Sequence, residues 1–229
     1  MFSKVVTSAL IAGFGAGLFA AVLQFAFVQP ILLHAELFET GELSHFGDIA
    51  SAAVVTHEGG FDFVRDGLSI AFSALIYVGY ALIAAAIMAF AEERGAEISP
   101  RTGIIWGVAG FVTVILAPAF GLSPELPGMA AADITPRQIW WFGTVAATGL
   151  GLWFIAFGTN WTVWGMSIAL LAAPHIIGAP LPDVLTGPAP PELGAEFSAR
   201  VIGNGLAVWV VLGLLLGSVW TSKMVGEDA

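Results

Sequence analysis

Acidic and basic residues are spaced so that five long stretches of the chain contain none of them: residues 5–35, 67–91, 102–124, 138–182 and 201–222. A helix needs about 20 mostly apolar residues to cross a bilayer. Four of the stretches, 22 to 31 residues long, therefore hold one crossing each. The 45-residue stretch holds two, with Gly158-Thr159-Asn160 as the turn between them. The pattern predicts an all-α fold, a polytopic membrane helix bundle with six transmembrane helices. They fall at about residues 5–29, 67–91, 102–118, 138–157, 160–177 and 200–221, in a single integral membrane domain spanning residues 1–229. Five crossings are the alternative, if residues 138–182 cross once. A transmembrane barrel would show alternating segments of about ten residues, a pattern not found here. The first apolar run is about twice as long as a signal-peptide core of about 7–15 residues, and it reads as a retained helix.

Local chemistry sharpens the boundaries. Ser99-Pro100 reads as an N-cap followed by proline at the first helical position. Thr135-Pro136-Arg137-Gln138 reads as a second one, with Gln138 completing a capping box. Trp106, Trp140, Trp141, Trp161, Trp164 and Trp220 stand near predicted crossing ends, where indoles favour the bilayer interface. Trp153 and Trp209 sit deeper and read as packing residues. Gly13/Gly17, Gly103/Gly107 and Gly213/Gly217 are small-xxx-small pairs that let helix backbones approach closely. Gly187-Pro-Ala-Pro-Pro191 reads as a stiff connector before the last helix.

Composition narrows the function classes. Hydrophobic residues are 58% and charged residues 10%, against about 25% charged in a soluble domain, which excludes a soluble globular enzyme and a disordered chain. The 7 Lys and Arg against 17 Asp and Glu exclude a nucleic-acid binder. The absence of cysteine excludes disulfides, thiolate metal sites, iron–sulfur clusters and cysteine nucleophiles. Gly13-Phe-Gly-Ala-Gly17 is not a dinucleotide loop, and no phosphate-binding loop or H-E-x-x-H occurs. The expectation is a non-enzyme without nucleotide or tightly bound cofactor.

Six crossings put both termini on one side. With the termini cytoplasmic, Lys4, Arg94, Arg101 and Lys223 lie inside and Arg65, Arg137 and Arg200 outside, a weak positive-inside bias. All four histidines (His34, His45, His57 and His175) and 12 of the 17 carboxylates then face outward. Imidazole with carboxylate is a ligand set for divalent transition metals, and a negative outer face concentrates cations. The plain alternative is a solvated set of polar loops. In the five-crossing reading His175 lies inside.

His34, Glu36 and Glu39 follow Pro30 at the end of the first helix. Glu36 and Glu39 share a helical face, and a kink at Pro30 would let His34 join them as metal ligands. The alternative is a helix end with snorkelling polar groups. Glu42, His45 and Asp48 repeat the spacing in a segment that reads as loop. His57-Glu58 before Gly59-Gly60 reads as a capture arm. Asp62 and Asp66 read as capping the second helix and pairing with Arg65.

Two Pro/Gly-rich segments stand out. Ala117-Pro-Ala-Phe-Gly-Leu-Ser-Pro-Glu-Leu-Pro-Gly128 reads as an ordered non-helical turn at membrane depth, tolerated only where protein or a cavity surrounds it. Glu125 is its only charge. It reads either as a metal ligand or as half of a structural ion pair with Arg137. Pro174-His-Ile-Ile-Gly-Ala-Pro180 carries His175 within the otherwise uncharged 45-residue stretch, a default functional position.

These two segments, with Arg137-Gln-Ile-Trp-Trp141 between them, resemble the CbtA family of predicted cobalt transporter subunits of bacterial inner membranes. The likeness extends to Ala35-Glu36 and to Arg65-Asp-Gly-Leu68, in order along nearly the whole chain. The chain has Ser123 where the family loop carries proline, and His34 where the family carries a carboxylate, which shifts the first-helix ligand set towards softer ions. The resemblance implies inward transport of Co²⁺, with Glu125, Arg137 and His175 at the family's motif positions. It also implies a small single-helix, His-containing partner like CbtB. The bilayer is the other partner, and a homo-oligomer is compatible with the sequence. The candidate metal ligands are His34, Glu36, Glu39, His57, Glu125 and His175. Two other function classes stand beside transport: a non-transporting membrane subunit that stabilises a partner complex, and, ranked last, a membrane enzyme using the same side chains.

Overall fold

The computed structural model describes residues 1–44 and 63–222, and all regular structure among them is helical. Six helices follow one another: α1 (Phe2–Glu39), α2 (Phe63–Glu92), α3 (Pro100–Ala119), α4 (Ile134–Phe157), α5 (Trp161–Ile177) and α6 (Pro191–Trp220). All but α5 are long and apolar enough to cross a membrane. The 17 residues of α5 give about 26 Å of helix against a hydrocarbon core of about 30 Å. After Gly158-Thr159-Asn160 the chain turns back, and α5 packs along α4, with Gly151 against Leu171 and the Ser167 carbonyl. Asn160 caps α5 by accepting from the Val163 amide at 3.0 Å. The long uncharged stretch thus holds two helices, as six crossings require.

Side-chain size is distributed as a bilayer demands. The face that α1 turns inward is Ser8, Ala9, Ala12, Gly13, Ala16, Gly17 and Ala21, and α2 buries Ala74, Ala81, Ala85 and Ala89. Large apolar residues such as Leu75, Ile105, Phe142 and Ile168 point outward. Lipid solvates them as well as a protein interior would, so association is left to close packing of small residues.

The described residues form two compact units. The first comprises 1–26, 63–111 and 203–222, and the second 27–44 and 112–202. In the first, a Cβ at Gly13 or Gly17 would overlap the backbone of Tyr77-Val78 or Ser73-Ala74 on α2. Gly103 and Gly107 on α3 meet Gly213 and Gly217 on α6 in the same manner. All three glycine pairs read from the sequence are helix contacts, and two of them face each other. A polar clasp joins α1, α2 and α6. Lys4 pairs with Glu92 at 3.4 Å and lies over the Trp220 ring, and the Trp220 indole donates to Glu92 at 3.0 Å. Trp220, read as an interface residue, is therefore buried, because its N–H has a carboxylate partner within the protein. Trp209 is buried as expected of a packing residue.

Proline shapes two helices. α1 continues through Pro30, and the five residues Gln24–Val28, separated from it by Gln29, form a π turn. α3 repeats the device, with a π turn at Val112–Leu116, then Ala117 and Pro118. Proline cannot donate to the carbonyl four residues back and its ring crowds that carbonyl. Widening one turn relieves the clash without ending the helix.

Ser99 caps α3 as expected. Its hydroxyl accepts from the Thr102 amide at 3.2 Å, and the Thr102 hydroxyl accepts from the Ser99 amide at 2.8 Å. Thr135 does not cap α4. The helix begins two residues earlier, at Ile134 with Asp133 as N-cap, so Pro136 takes the third helical position. A missing amide hydrogen costs nothing there, because the first four amides of a helix have no internal acceptor. Asp66 pairs with Arg65 at 3.0 Å and is buried, matching the pairing read for it. Asp62 lies outside the described residues.

Candidate functional site

The described candidate residues all belong to the second unit. His34, Glu36 and Glu39 lie on the last turns of α1, Glu125 on the loop after α3, Arg137 in the first turn of α4 and His175 near the end of α5. His57 lies outside the described residues, as do His45, Asp48 and Glu58.

Several of the elements carrying these residues are tied to one another within the unit. Val28, Ile31 and Ala35 of α1 share a core with Leu126 of the loop, with Ala189, and with Leu193 and Phe197 of α6. The Ala130 amide donates to the Thr186 carbonyl at 2.8 Å, tying the loop after α3 to the loop after α5. The Ser198 hydroxyl donates to the Pro124 carbonyl. Gly128 takes a φ of +76°, open to glycine without cost, and the Glu39 side chain lies against it. Gly121 sits so close to Ala179 and the Trp140 ring that a Cβ would overlap both. Protein covers the two segments only in part: Ala117, Pro118, Leu126 and Pro174 are buried, while Phe120, Ile176 and Ile177 are exposed. Ala117–Ala119 and residues 174–177 are helical rather than irregular as the sequence suggested.

Within that frame the candidates divide. Glu125 and Arg137 meet at 2.9 Å, each side chain about one-third exposed, 32% and 30% respectively. This is the ion pair read from the sequence. It joins the loop to the start of α4, 12 residues on. His175 packs edge-on against Phe120 and Trp140, with ring centroids 5.9 and 6.4 Å away. The Trp140 indole donates to the Pro174 carbonyl at 3.2 Å, which fixes the wall His175 leans on. His34 stacks on Phe38 at 5.5 Å. It does not converge with Glu36, because α1 stays helical beyond Pro30 and two residues turn a helix through about 200°. Among the described residues, no group of three or more His, Asp or Glu side chains is placed to hold a metal ion.

Charge is nevertheless uneven. The described part of the second unit carries eight carboxylates (Glu36, Glu39, Glu42, Glu125, Asp133, Asp183, Glu192 and Glu196) and two arginines, a net −6. Each arginine is matched by one carboxylate, Arg137 by Glu125 and Arg200 by Glu196. The described part of the first unit has four of each sign: Asp66, Glu92, Glu93 and Glu97 against Lys4, Arg65, Arg94 and Arg101. A groove of about 640 Å³ runs along α4 and the end of α5, past Ile139, Trp140, Ala173, Pro174 and Ile177. Its walls are almost wholly apolar, so it offers an ion no ligand.

Arg200, which the sequence places only by its charge, and Asn204, which it leaves without a role, both reach backbone carbonyls of α1. The Arg200 guanidinium donates to the Phe27 carbonyl at 2.9 Å, and the Asn204 amide donates to the Leu23 carbonyl at 3.2 Å. The signal for Asn204 was present: a lone amide between Gly203 and Gly205 in an apolar helix.

The sequence profile of a family described as "Probable cobalt transporter subunit (CbtA)" matches residues 2–221. No curated protein and no solved structure matches the chain. Helices of membrane-crossing length and this match over nearly the whole sequence together identify a multi-pass membrane protein and transporter subunit, and the chain belongs to the CbtA family.

Proposed function

We propose that this chain is the inner-membrane subunit through which Co²⁺ passes inward, with both termini cytoplasmic and the cation captured by outer-face His and carboxylate ligands. The observation that carries the reading, beside family membership, is the net −6 of the described second unit against neutrality in the first. An anionic surface raises the local concentration of a divalent cation before any specific ligand acts. Glu36, Glu39, Glu125 and His175 then supply oxygen and imidazole ligands, singly or in pairs, to an ion moving between them. His34 is a further donor in the same unit, and the sequence offers His57 as another. Sparse ligation suits passage, because an ion held by a complete cage leaves slowly. The membrane potential supplies about 2.3 kcal/mol per charge per 100 mV, so about 4.6 kcal/mol for a divalent ion. No nucleotide motif is needed for that drive. A small His-containing single-helix subunit, like CbtB, completes the transporter.

The test is accumulation of radioactive cobalt in cells lacking their own cobalt uptake, expressing the chain with its small partner. Replacement of His175 by Ala, at equal membrane abundance, should lower uptake by about 10–100-fold, the usual range for weakening a metal site. Excess unlabelled cobalt should compete. A second reading, that the chain only stabilises a partner complex, rests on the word subunit in the family description. It predicts that the same variant leaves uptake unchanged per assembled complex. Absence of uptake from well-folded protein with its partner would overturn the permease reading.

A further inference from the structure

Trp140 stands in the second turn of α4, near a predicted crossing end, where an indole ordinarily turns its N–H to the bilayer interface. Here the N–H is used inside the protein. It donates to the Pro174 carbonyl at 3.2 Å. That carbonyl also accepts from the Gly178 amide at 3.0 Å, the bond that ends α5 at a glycine with a φ of +83°. The last carbonyls of a helix are the ones short of partners, and this one is held from two directions. It belongs to the planar peptide unit that joins Pro174 to His175. Holding it fixes the backbone from which the imidazole departs.

The same indole bounds the imidazole itself. His175 is exposed, and an exposed side chain ordinarily samples several staggered rotamers. Its ring is instead edge-on to Phe120 and Trp140, with centroids 5.9 and 6.4 Å away. Among the described residues it is rings rather than hydrogen bonds that hold it, which leaves its nitrogens open to a ligand. Phe120 reaches this place because its neighbour Gly121 has no side chain. A Cβ at Gly121 would lie 2.7 Å from both Ala179 and the Trp140 ring. The ends of α3 and α5 thus meet on one side chain of α4, all within the second unit.

We propose that Trp140 is the positioning residue of His175. The indole N–H sets the backbone at His175, and the indole ring, with Phe120, restricts the imidazole to one rotamer. A ligand that is already in place loses less freedom when a cation arrives, so binding is tighter. The positioning stands on the contacts. Its consequence for cobalt rests on the reading of His175 as a ligand.

The experiment reads a contact in which Trp140 takes no part, that between the rings of His175 and Phe120. The chain has four histidines, so isotope-labelled histidine in the full chain in nanodiscs gives a simple NMR spectrum. The His175 signals are those lost in His175→Ala, and the Phe120 cross-peak is the one lost in Phe120→Leu. Trp140→Ala should weaken the His175–Phe120 cross-peak severalfold, as the imidazole spreads over several rotamers. Trp140→Phe, which keeps a ring and drops the donor, should weaken it by a smaller factor. A cross-peak of native strength in Trp140→Ala overturns the proposal. Where that variant does not fold, the same result in Trp140→Phe does. At equal membrane abundance, Trp140→Phe should also raise the cobalt concentration for half-maximal uptake by about tenfold, the lower end for residues supporting a metal ligand. Uptake that falls in His175→Ala, beside an unchanged half-maximal concentration in Trp140→Phe, overturns the positioning role. A weakened cross-peak beside unchanged uptake in His175→Ala overturns the ligand reading and leaves the positioning of the ring standing.

Discussion

Gly213→Leu removes the folded protein from the membrane. A Cβ at Gly213 would overlap the Gly103 carbonyl and the Gly107 backbone, and Gly103 and Gly107 would clash reciprocally with Gly213, Gly217 and Trp209. The obstacles are main-chain atoms, which cannot rotate away as a side chain can. α3 and α6 must therefore separate along the whole contact. In lipid that contact rests on close packing, since the surrounding acyl chains are as apolar as the helices. Losing it costs more than the 1–3 kcal/mol typical of overpacking with movable neighbours. Gly79→Leu on α2 is the control. A Cβ at Gly79 meets no atom within 4 Å, so the substitution gains about 1 kcal/mol of helix propensity. Fluorescence-detected gel filtration and thermal unfolding in mild detergent separate the two. Equal stability of Gly213→Leu and Gly79→Leu would mean that α3 and α6 do not pack through their glycines.

That prediction comes from a feature legible in the sequence. Four-residue glycine spacing needs no tertiary knowledge to suggest a close backbone approach, and the stretches free of charge mark the helices. Which helix faces which was not legible. In a soluble protein the apolar stripe points to the core. Here both lipid and protein accept apolar side chains, so hydropathy does not distinguish Leu75, which faces out, from Met88, which is buried. The π turns were hidden for a similar reason. Pro30 and Pro118 announce a disturbance, but whether a helix ends, kinks or widens depends on how the surrounding protein holds it. At α1 the Leu23 and Phe27 carbonyls, on either side of the Ala26 carbonyl that Pro30 leaves without its usual donor, accept from Asn204 and Arg200, more than 170 residues away. The ligand groups were misjudged locally. The reading relied on Pro30 bending His34 towards Glu36 and Glu39, whereas continued helix turns His34 onto Phe38. The Glu125–Arg137 pair succeeded because a lone carboxylate on a short loop has few cationic partners within reach.

Glu125→Gln should leave the fold nearly intact and still reduce cobalt uptake, and the contrast with Arg137 gives the result its meaning. Each side chain of the pair is about one-third exposed, so water screens the attraction and its loss costs about 1 kcal/mol or less. Stability alone would not remove the protein. If Glu125 is a ligand on the proposed cation path, uptake falls by about 10–100-fold with the amide, which keeps the shape but not the charge. Arg137→Gln removes the competing cation and frees the carboxylate, so apparent affinity for cobalt should rise or hold while stability falls by a similar small amount. The charge exchange, Glu125→Arg with Arg137→Glu, rebuilds the attraction between loop and helix but moves the carboxylate off the loop and onto α4. Under the ligand reading the exchanged protein regains its thermal stability and not its uptake. Under a purely structural role it regains both. Measuring unfolding temperature and radioactive cobalt accumulation on the same four proteins separates the cases, because one property follows the pair and the other follows the position of a single carboxylate.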